Sequence, residues 1–280
     1  MLVAAFIHAS WNYFAKRTGG GAAFIWLFTA VSALFYTPLA VIIFWQTRPE
    51  LNLINVVFIL GTAVLHIAYF VTLQRGYRVG DLSLVYPLAR GTGPFIATLA
   101  AIIFFSERPS TLALIGAGFT VTSVFWFAGG TQLFLKQSAD SAIAIRYGLT
   151  VGLLIASYTL WDKYAVAILL IPPLFYDWAS NVLRATLLSP VAVRQWDEVK
   201  MHWQRHRLEV FVVAILSPLS YILILSALQF SPVSYIAPAR EISILIGAIM
   251  GASLLKEGDV KRRIGAALLM VIGVILLAIG

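Results

Sequence analysis

The residues best placed to do chemistry are few and charged. Arg90 lies in VYPLARGTGPF, residues 85–95, inside one of the most apolar parts of the chain. Ser83, Pro87, Arg90 and Pro94 follow one another at steps of 4, 3 and 4, so they share one helix face. A proline there removes a backbone hydrogen bond and kinks the helix. A second stretch repeats the device: Ser234, Pro238 and Glu241 keep the steps of 4 and 3, with Arg240 beside Glu241. Pro87, Pro94 and Pro238 are therefore the expected kinks. A guanidinium matches a carboxylate through two parallel hydrogen bonds. A carboxylate such as Glu241 can take an ammonium or carry a proton. The bland alternative is a structural ion pair between Arg90 and Glu241. A pair that opens when a ligand arrives satisfies both readings. In a membrane, a lipid-facing arginine costs at least ~2.5–3.5 kcal/mol, so Arg90 should face the protein interior.

Other polar side chains sit in apolar surroundings and need interior partners. His8, Asn12 and Lys16 form one stripe at i, i+4 and i+8, with Trp11 beside it. His66 and Tyr69, Tyr86, Tyr158, Tyr221 and Tyr235 complete the candidate binding set. Lone histidines are more often packing residues than ligands, and tyrosines near helix ends are often interface anchors. Asp162 and Lys163 read as local ion pairs near a helix end. Glu107 and Glu257 read as interfacial carboxylates paired with nearby Arg or Lys. Gly247 and Gly251 make a G-x-x-x-G, a pattern of close helix contact.

The elements that position these residues follow from composition. The chain has 280 residues, 60% hydrophobic and only 11% charged. Soluble domains carry ~25% charge, so lipid must be the solvent for most of this chain. The net charge of +8 sits mostly in connections and reads as membrane topology, not nucleic-acid binding. A bilayer core needs ~20 apolar residues per helix. Ten spans result: 2–16, 22–46, 54–75, 80–105, 110–129, 142–163, 171–191, 208–230, 232–255 and 261–279. The fold expected is an all-α integral membrane protein of ten transmembrane helices. No cleavable signal is expected, because a second span follows the first at once.

A weak internal repeat divides the chain. Ser10 and Lys16 match Ser157 and Lys163; Ser83 and Pro87 match Ser234 and Pro238; Arg90, Glu107 and Gly116 match Arg240, Glu257 and Gly265. The halves are 1–129 and 142–280, joined by a linker at 130–141. Five helices per half is odd, so the halves lie inverted, which is a signature of secondary transporters with a site near the midplane. Lys and Arg cluster after the first, third, fifth, seventh and ninth spans; the other connections hold only Arg48, Arg108 and Lys163. The positive-inside rule then places both termini outside. Trp196, Val199 and Trp203 have the spacing of an amphipathic surface helix, with a solvated basic loop as the alternative.

Several classes drop out. There are no cysteines, so thiol and thiolate–metal chemistry is excluded. No P-loop, H-E-x-x-H or G-x-S-x-G is present, and no metal or cofactor is expected. A passive channel and an intramembrane enzyme are the competing classes.

HASWNYFAK at 8–16, YRVGDLSLVYPLARGTGPF at 77–95, SERPS at 106–110 and SPVSYIAPAREISILIGAI at 231–249 resemble the drug/metabolite transporter superfamily, in its ten-helix EamA-type branch. The likeness spans essentially the whole chain. It implies two EamA-like repeats around a central cavity, a bacterial-type inner (plasma) membrane, and export of small metabolites. YddG-like amino-acid exporters are the nearest type, with protons a possible coupling partner. Relatives often carry Gly-Glu where the fourth and ninth spans end; here Ser106 and Lys256 stand in place of that glycine.

Overall fold

The computed structural model describes residues 1–79, 82–128, 139–246 and 260–280. Among these, every regular element is a helix, as expected where backbone hydrogen bonds must close within each segment. Eleven helices are described: α1 (Leu2–Arg17), α2 (Ala22–Thr47), α3 (Leu53–Val79), α4 (Leu82–Phe104), α5 (Thr111–Ala128), α6 (Ala139–Ala167), α7 (Pro173–Arg194), α8 (Trp196–Arg205), α9 (Arg207–Phe230), α10 (Val233–Ala239) and α11 (Val260–Ile279). Three are long and apolar enough to cross a membrane: Ala22–Thr47, Leu53–Gly76 and Arg207–Phe230. Leu88–Phe104, Thr111–Trp126 and Ile264–Ile279 are shorter apolar helices. Large apolar side chains such as Leu34, Leu53 and Ile103 are more than 70% exposed, which fits a hydrocarbon solvent.

The eleven described helices exceed the ten expected spans by one, α8, and one of the ten spans is broken. α8 lies where the sequence left a helix or a basic loop open, and it is a helix. The ninth span, expected over 232–255, is interrupted: α10 ends at Ala239, residues 240 and 241 form a turn, and 242–246 are helical again. The 130–141 linker falls largely outside the described residues. So do Gly247, Gly251 and Glu257.

The chain forms two compact units. The first comprises residues 1–64 and 161–230. In it α2 packs on α7, α1 on α9, and α8 on α2 and α9. Phe24, Leu27 and Phe28 of α2 meet Val199 of α8 and Val210, Val213 and Ala214 of α9 in its core. Polar groups in this apolar setting find backbone partners. The Trp26 indole donates to the Ala185 carbonyl (3.0 Å), that of Trp178 to the Ala33 carbonyl (3.1 Å), and the Tyr36 hydroxyl to the Ile215 carbonyl (2.7 Å).

α8 is amphipathic. Val199 and His202 are buried while Trp196 and Trp203 are exposed. Asp197 and Glu198 lie in its first turn and His202 and Arg205 in its last, matching the helix dipole. The His202 ring lies 5.5 Å from that of Phe24 and 5.9 Å from that of His206. Burial, and then the neighbouring His206, hold the His202 imidazole below its ordinary value of 6.5.

The second unit comprises residues 65–160 and 231–280. α5 packs on α11 and α4 on α10. Gly116 and Gly273 set the first contact: a Cβ on Gly116 would lie 2.6 Å from the Gly273 carbonyl oxygen, and one on Gly273 2.8 Å from that of Gly116. Backbone meets backbone there, and a side chain has no room. The chain leaves α4 through Ser106, whose φ of +53° is left-handed. Glycine adopts that conformation without the Cβ clash that Ser106 bears. Glu107 then reaches α10. Its carboxylate accepts hydrogen bonds from the backbone N–H groups of Val233 (2.6 Å) and Ser234 (2.9 Å). The expected interfacial ion pair of Glu107 is thus a cap on the first turn of α10, where a negative charge is favoured.

Two outcomes follow for stability. Gly273→Ala should lower the thermal unfolding temperature in detergent by the equivalent of about 1–3 kcal/mol of overpacking. Gly118→Ala, where nothing lies within 4 Å of the new Cβ, should not. The folded state disfavours protonated His202, so this residue does not oppose folding above its ordinary pKa and destabilises as pH falls below it. Unfolding temperatures measured from about pH 8 to about pH 5 should fall less in His202→Phe than in the unsubstituted protein. Equal slopes contradict this assignment.

Candidate functional site

The interruption after α10 builds the site. Pro238 has no N–H, so the helical ladder loses a bond there. The chain continues with tighter i→i−3 bonds: Glu241 N–H to the Pro238 carbonyl (3.0 Å), Ser243 to Arg240 (3.2 Å) and Ile244 to Glu241 (2.9 Å). Such a stretch of 3₁₀ bonding between two helical segments marks a strained or hinge-like position. Arg240 and Glu241 occupy the turn itself. α4, by contrast, runs continuously through Pro87 and Pro94. Gly91 and Gly93 bring it close to Phe125 and Ile155, so Arg90 projects from a tightly packed segment.

Arg90 and Glu241 meet. The Arg90 Nε lies 3.0 Å from Glu241 Oε2, and Arg90 Nη2 donates to Ser243 Oγ at 3.5 Å. Ser243 in turn donates to the Arg240 carbonyl (2.9 Å). Arg90, Arg240 and Glu241 are 8, 9 and 2% exposed, so this is a buried ion cluster. Arg240 donates to Thr159 Oγ1 at 3.5 Å and lies 5.9 Å over the Tyr158 ring. Tyr158 stacks on His66 at 4.4 Å and takes the edge of Tyr69 at 5.8 Å. Six of the expected residues thus stand together: His66, Tyr69, Arg90, Tyr158, Arg240 and Glu241. Two guanidiniums and one carboxylate meet an aromatic wall, an arrangement suited to small molecules bearing a carboxylate and an apolar group.

The other expected residues have partners within their own units. On α1, Trp11 donates to Ser220 Oγ (3.3 Å) and meets the His8 ring at 5.0 Å. Asn12 is exposed, and its amide donates to the His8 carbonyl (2.8 Å). The Tyr235 hydroxyl accepts from the Ser110 N–H at 3.3 Å, at the α5 end beside the Glu107 cap. The side chains of Lys16, Ser83, Tyr86 and Pro87 fall outside the described residues.

Tyr221 belongs to a second buried network, in the first unit, which the sequence reading missed. Its hydroxyl donates to Asp162 Oδ2, and the Tyr176 hydroxyl donates to Asp162 Oδ1 (2.7 Å). Next to Tyr176, Asp177 accepts from the Asn181 amide (2.9 Å) and lies 3.9 Å from Arg184 Nη2, which also donates to Asn181 Oδ1 (3.0 Å). Two tyrosine hydroxyls thus contact Asp162, which the sequence reading took only as a member of a local ion pair. Lys163 donates to the Leu228 carbonyl (2.7 Å). The missed signal was present. Asp177, Asn181 and Arg184 fall at i, i+4 and i+7 of an apolar span, the same pattern that singled out Arg90. Among the described residues, no group of three His, Asp or Glu could hold a metal.

Breaking a buried pair on one side leaves an uncompensated charge. Arg90→Met should therefore destabilise the protein by about 3–5 kcal/mol, and adding Glu241→Leu should restore much of that loss. Chemical denaturation in detergent checks this; a double variant as unstable as the sum of both singles contradicts it.

Residues 142–279 match the family model of the EamA-like transporter family. No curated protein matches the chain. A solved structure described only as "Crystal structure of protein" superposes with a TM-score of 0.72 over 99% of this chain and 94% of its own, at 12% identity. At that identity the likeness concerns the fold alone. The family match, with the apolar helices, supports a multi-pass membrane protein that transports small solutes.

Proposed function

We propose that this chain, an EamA-type member of the drug/metabolite transporter superfamily, is a secondary transporter that exports small amphipathic metabolites, amino acids first among them, across a bacterial-type inner membrane. The observation that carries the reading is the buried Arg90–Glu241 pair at the break after α10. An arginine and a glutamate held against each other in an apolar interior are costly to keep unless well paired. A substrate carboxylate offers Arg90 the same geometry as Glu241, and a substrate ammonium offers Glu241 a replacement cation. The substrate exchanges one set of ion pairs for another, so the charges stay compensated at each step. The Tyr158, His66 and Tyr69 rings suit an apolar side chain.

Helix packing supports two inverted five-helix repeats, residues 1–129 and 142–280. α2 packs on α7, α4 on α10, and α5 on α11, each helix against its counterpart in the other half. The tight bonding over 238–244 provides the element that rearranges during alternating access. Export, rather than uptake, follows only from the family likeness.

The test is counterflow of radiolabelled amino acids in proteoliposomes. Saturable exchange is expected, and Arg90→Lys should reduce it severely while leaving thermal unfolding nearly unchanged, because an ammonium cannot reproduce the guanidinium fork. Ion currents without saturation would indicate a channel. Full transport by Arg90→Lys would remove Arg90 from the substrate site.

A further inference from the structure

α8 presents an aromatic and basic face to its surroundings. Trp196, Lys200 and Trp203 fall at i, i+4 and i+7, so they share one side of the helix. All three are exposed. Val199 and His202, both 4% exposed, occupy the side that packs on α2 and α9. Arg207, the first residue of α9, returns to the exposed face. Its guanidinium lies 6.0 Å over the Trp203 ring, and its Nε donates to the Trp203 carbonyl (3.1 Å).

The neighbours of this face set its level in the membrane. α9 is long and apolar enough to span, and only His206 separates it from α8. The Trp203 ring meets that of Phe211, one turn into α9, at 5.7 Å. Phe211 and Leu208 are themselves exposed apolar residues. The Trp196 ring lies 6.2 Å from that of Trp26, near the start of α2, another helix long enough to span. The tryptophan face of α8 therefore runs into the apolar outer surface of two spanning helices, at their ends. That is the level of lipid headgroups, where an indole keeps one side apolar and the other wet.

The charge on this face is positive. Lys200 and Arg207 stand on it and are exposed. Asp197 and Glu198 follow Trp196 by one and two positions, which turns them off the face by about 100° and 200°. Asp197 approaches Lys200 only at 3.8 Å, and its side chain is fully exposed, so water and salt weaken the contact. Glu209 is buried and meets Arg17 and His206, each at 3.9 Å. A lipid phosphate offers a guanidinium and an ammonium both charge and acceptor oxygens. A zwitterionic headgroup brings its own ammonium beside that phosphate, so an anionic headgroup fits two cations better.

We infer that the face of α8 formed by Trp196, Lys200 and Trp203, with Arg207 of α9, is a binding site for the headgroup of an anionic phospholipid. The site goes beyond the transport reading and does not depend on it.

The test uses the full-length protein in neutral detergent micelles. Phosphatidylglycerol and phosphatidylcholine, each brominated on the acyl chains close to the headgroup, are titrated in as quenchers of tryptophan fluorescence. Phosphatidylglycerol should quench at lower mole fraction, and Trp196→Phe/Trp203→Phe should lose that difference. Each basic residue near an anionic surface is worth roughly fivefold in affinity, so Lys200→Gln/Arg207→Gln should abolish the preference. Inorganic phosphate, added at constant ionic strength, should leave it intact. Equal quenching by the two lipids would reduce the tryptophans to interface anchors without headgroup preference, and overturns the proposal. So does a preference that survives in Lys200→Gln/Arg207→Gln or in Trp196→Phe/Trp203→Phe. Loss of the preference to inorganic phosphate would make a free anion the ligand, and overturns it too. Should the double charge variant not fold, Lys200→Gln alone changes one exposed side chain. It should weaken phosphatidylglycerol quenching roughly fivefold, and an unchanged titration contradicts the site.

Discussion

An arginine and a glutamate in contact inside an apolar bundle constrain everything near them. Neither can be left alone without a large desolvation penalty, and neither can turn to lipid. α4 must therefore hold Arg90 in one place, and the chain after α10 must present Glu241 to it. Gly91 and Gly93 press α4 against Phe125 and Ile155, which fixes the first. Pro238 ends α10 and the following 3₁₀ bonds place Glu241, which fixes the second. The Glu107 cap then anchors the start of α10 from the end of α4 itself. Two points of attachment on one helix, Arg90 in its middle and Glu107 just beyond its end, define where α10 lies.

The same rule of internal satisfaction organises the first unit with different chemistry. There the partners of polar groups are mostly carbonyls, indoles and hydroxyls. Trp26, Trp178 and Tyr36 each reach across to the backbone of a neighbouring helix. Asp162 there accepts from the Tyr176 and Tyr221 hydroxyls.

Much of this was legible in the sequence because the membrane makes buried charge rare. Arg90, Arg240 and Glu241 stood out against apolar surroundings, and they do meet. His66, Tyr69 and Tyr158 followed from the need for interior partners. The spacing of Trp196, Val199 and Trp203 allowed α8. What escaped has physical causes too. Glu107 looked like an interfacial ion pair because a cap on a helix distant in sequence leaves no local pattern. Asp177, Asn181 and Arg184 carried the same periodic signal as Arg90 and went unread. The break after α10 could be placed only near Pro238, since prolines at 87 and 94 leave α4 continuous. Why one proline ends a helix and two others do not depends on packing that a single sequence does not display.

The claim at the centre is that Arg90 exchanges Glu241 for a substrate carboxylate. The direct measurement is the coupling between positions 90 and 241, from a double-mutant cycle in unfolding stability. It should be made without ligand and again with the amino acid that counterflow selects, at saturation. Neighbouring charged residues couple by about 0.5–3 kcal/mol. The exchange account predicts a clear coupling without ligand that falls sharply when the amino acid binds. A coupling unchanged by the bound amino acid would show that Arg90 and Glu241 only lock the fold.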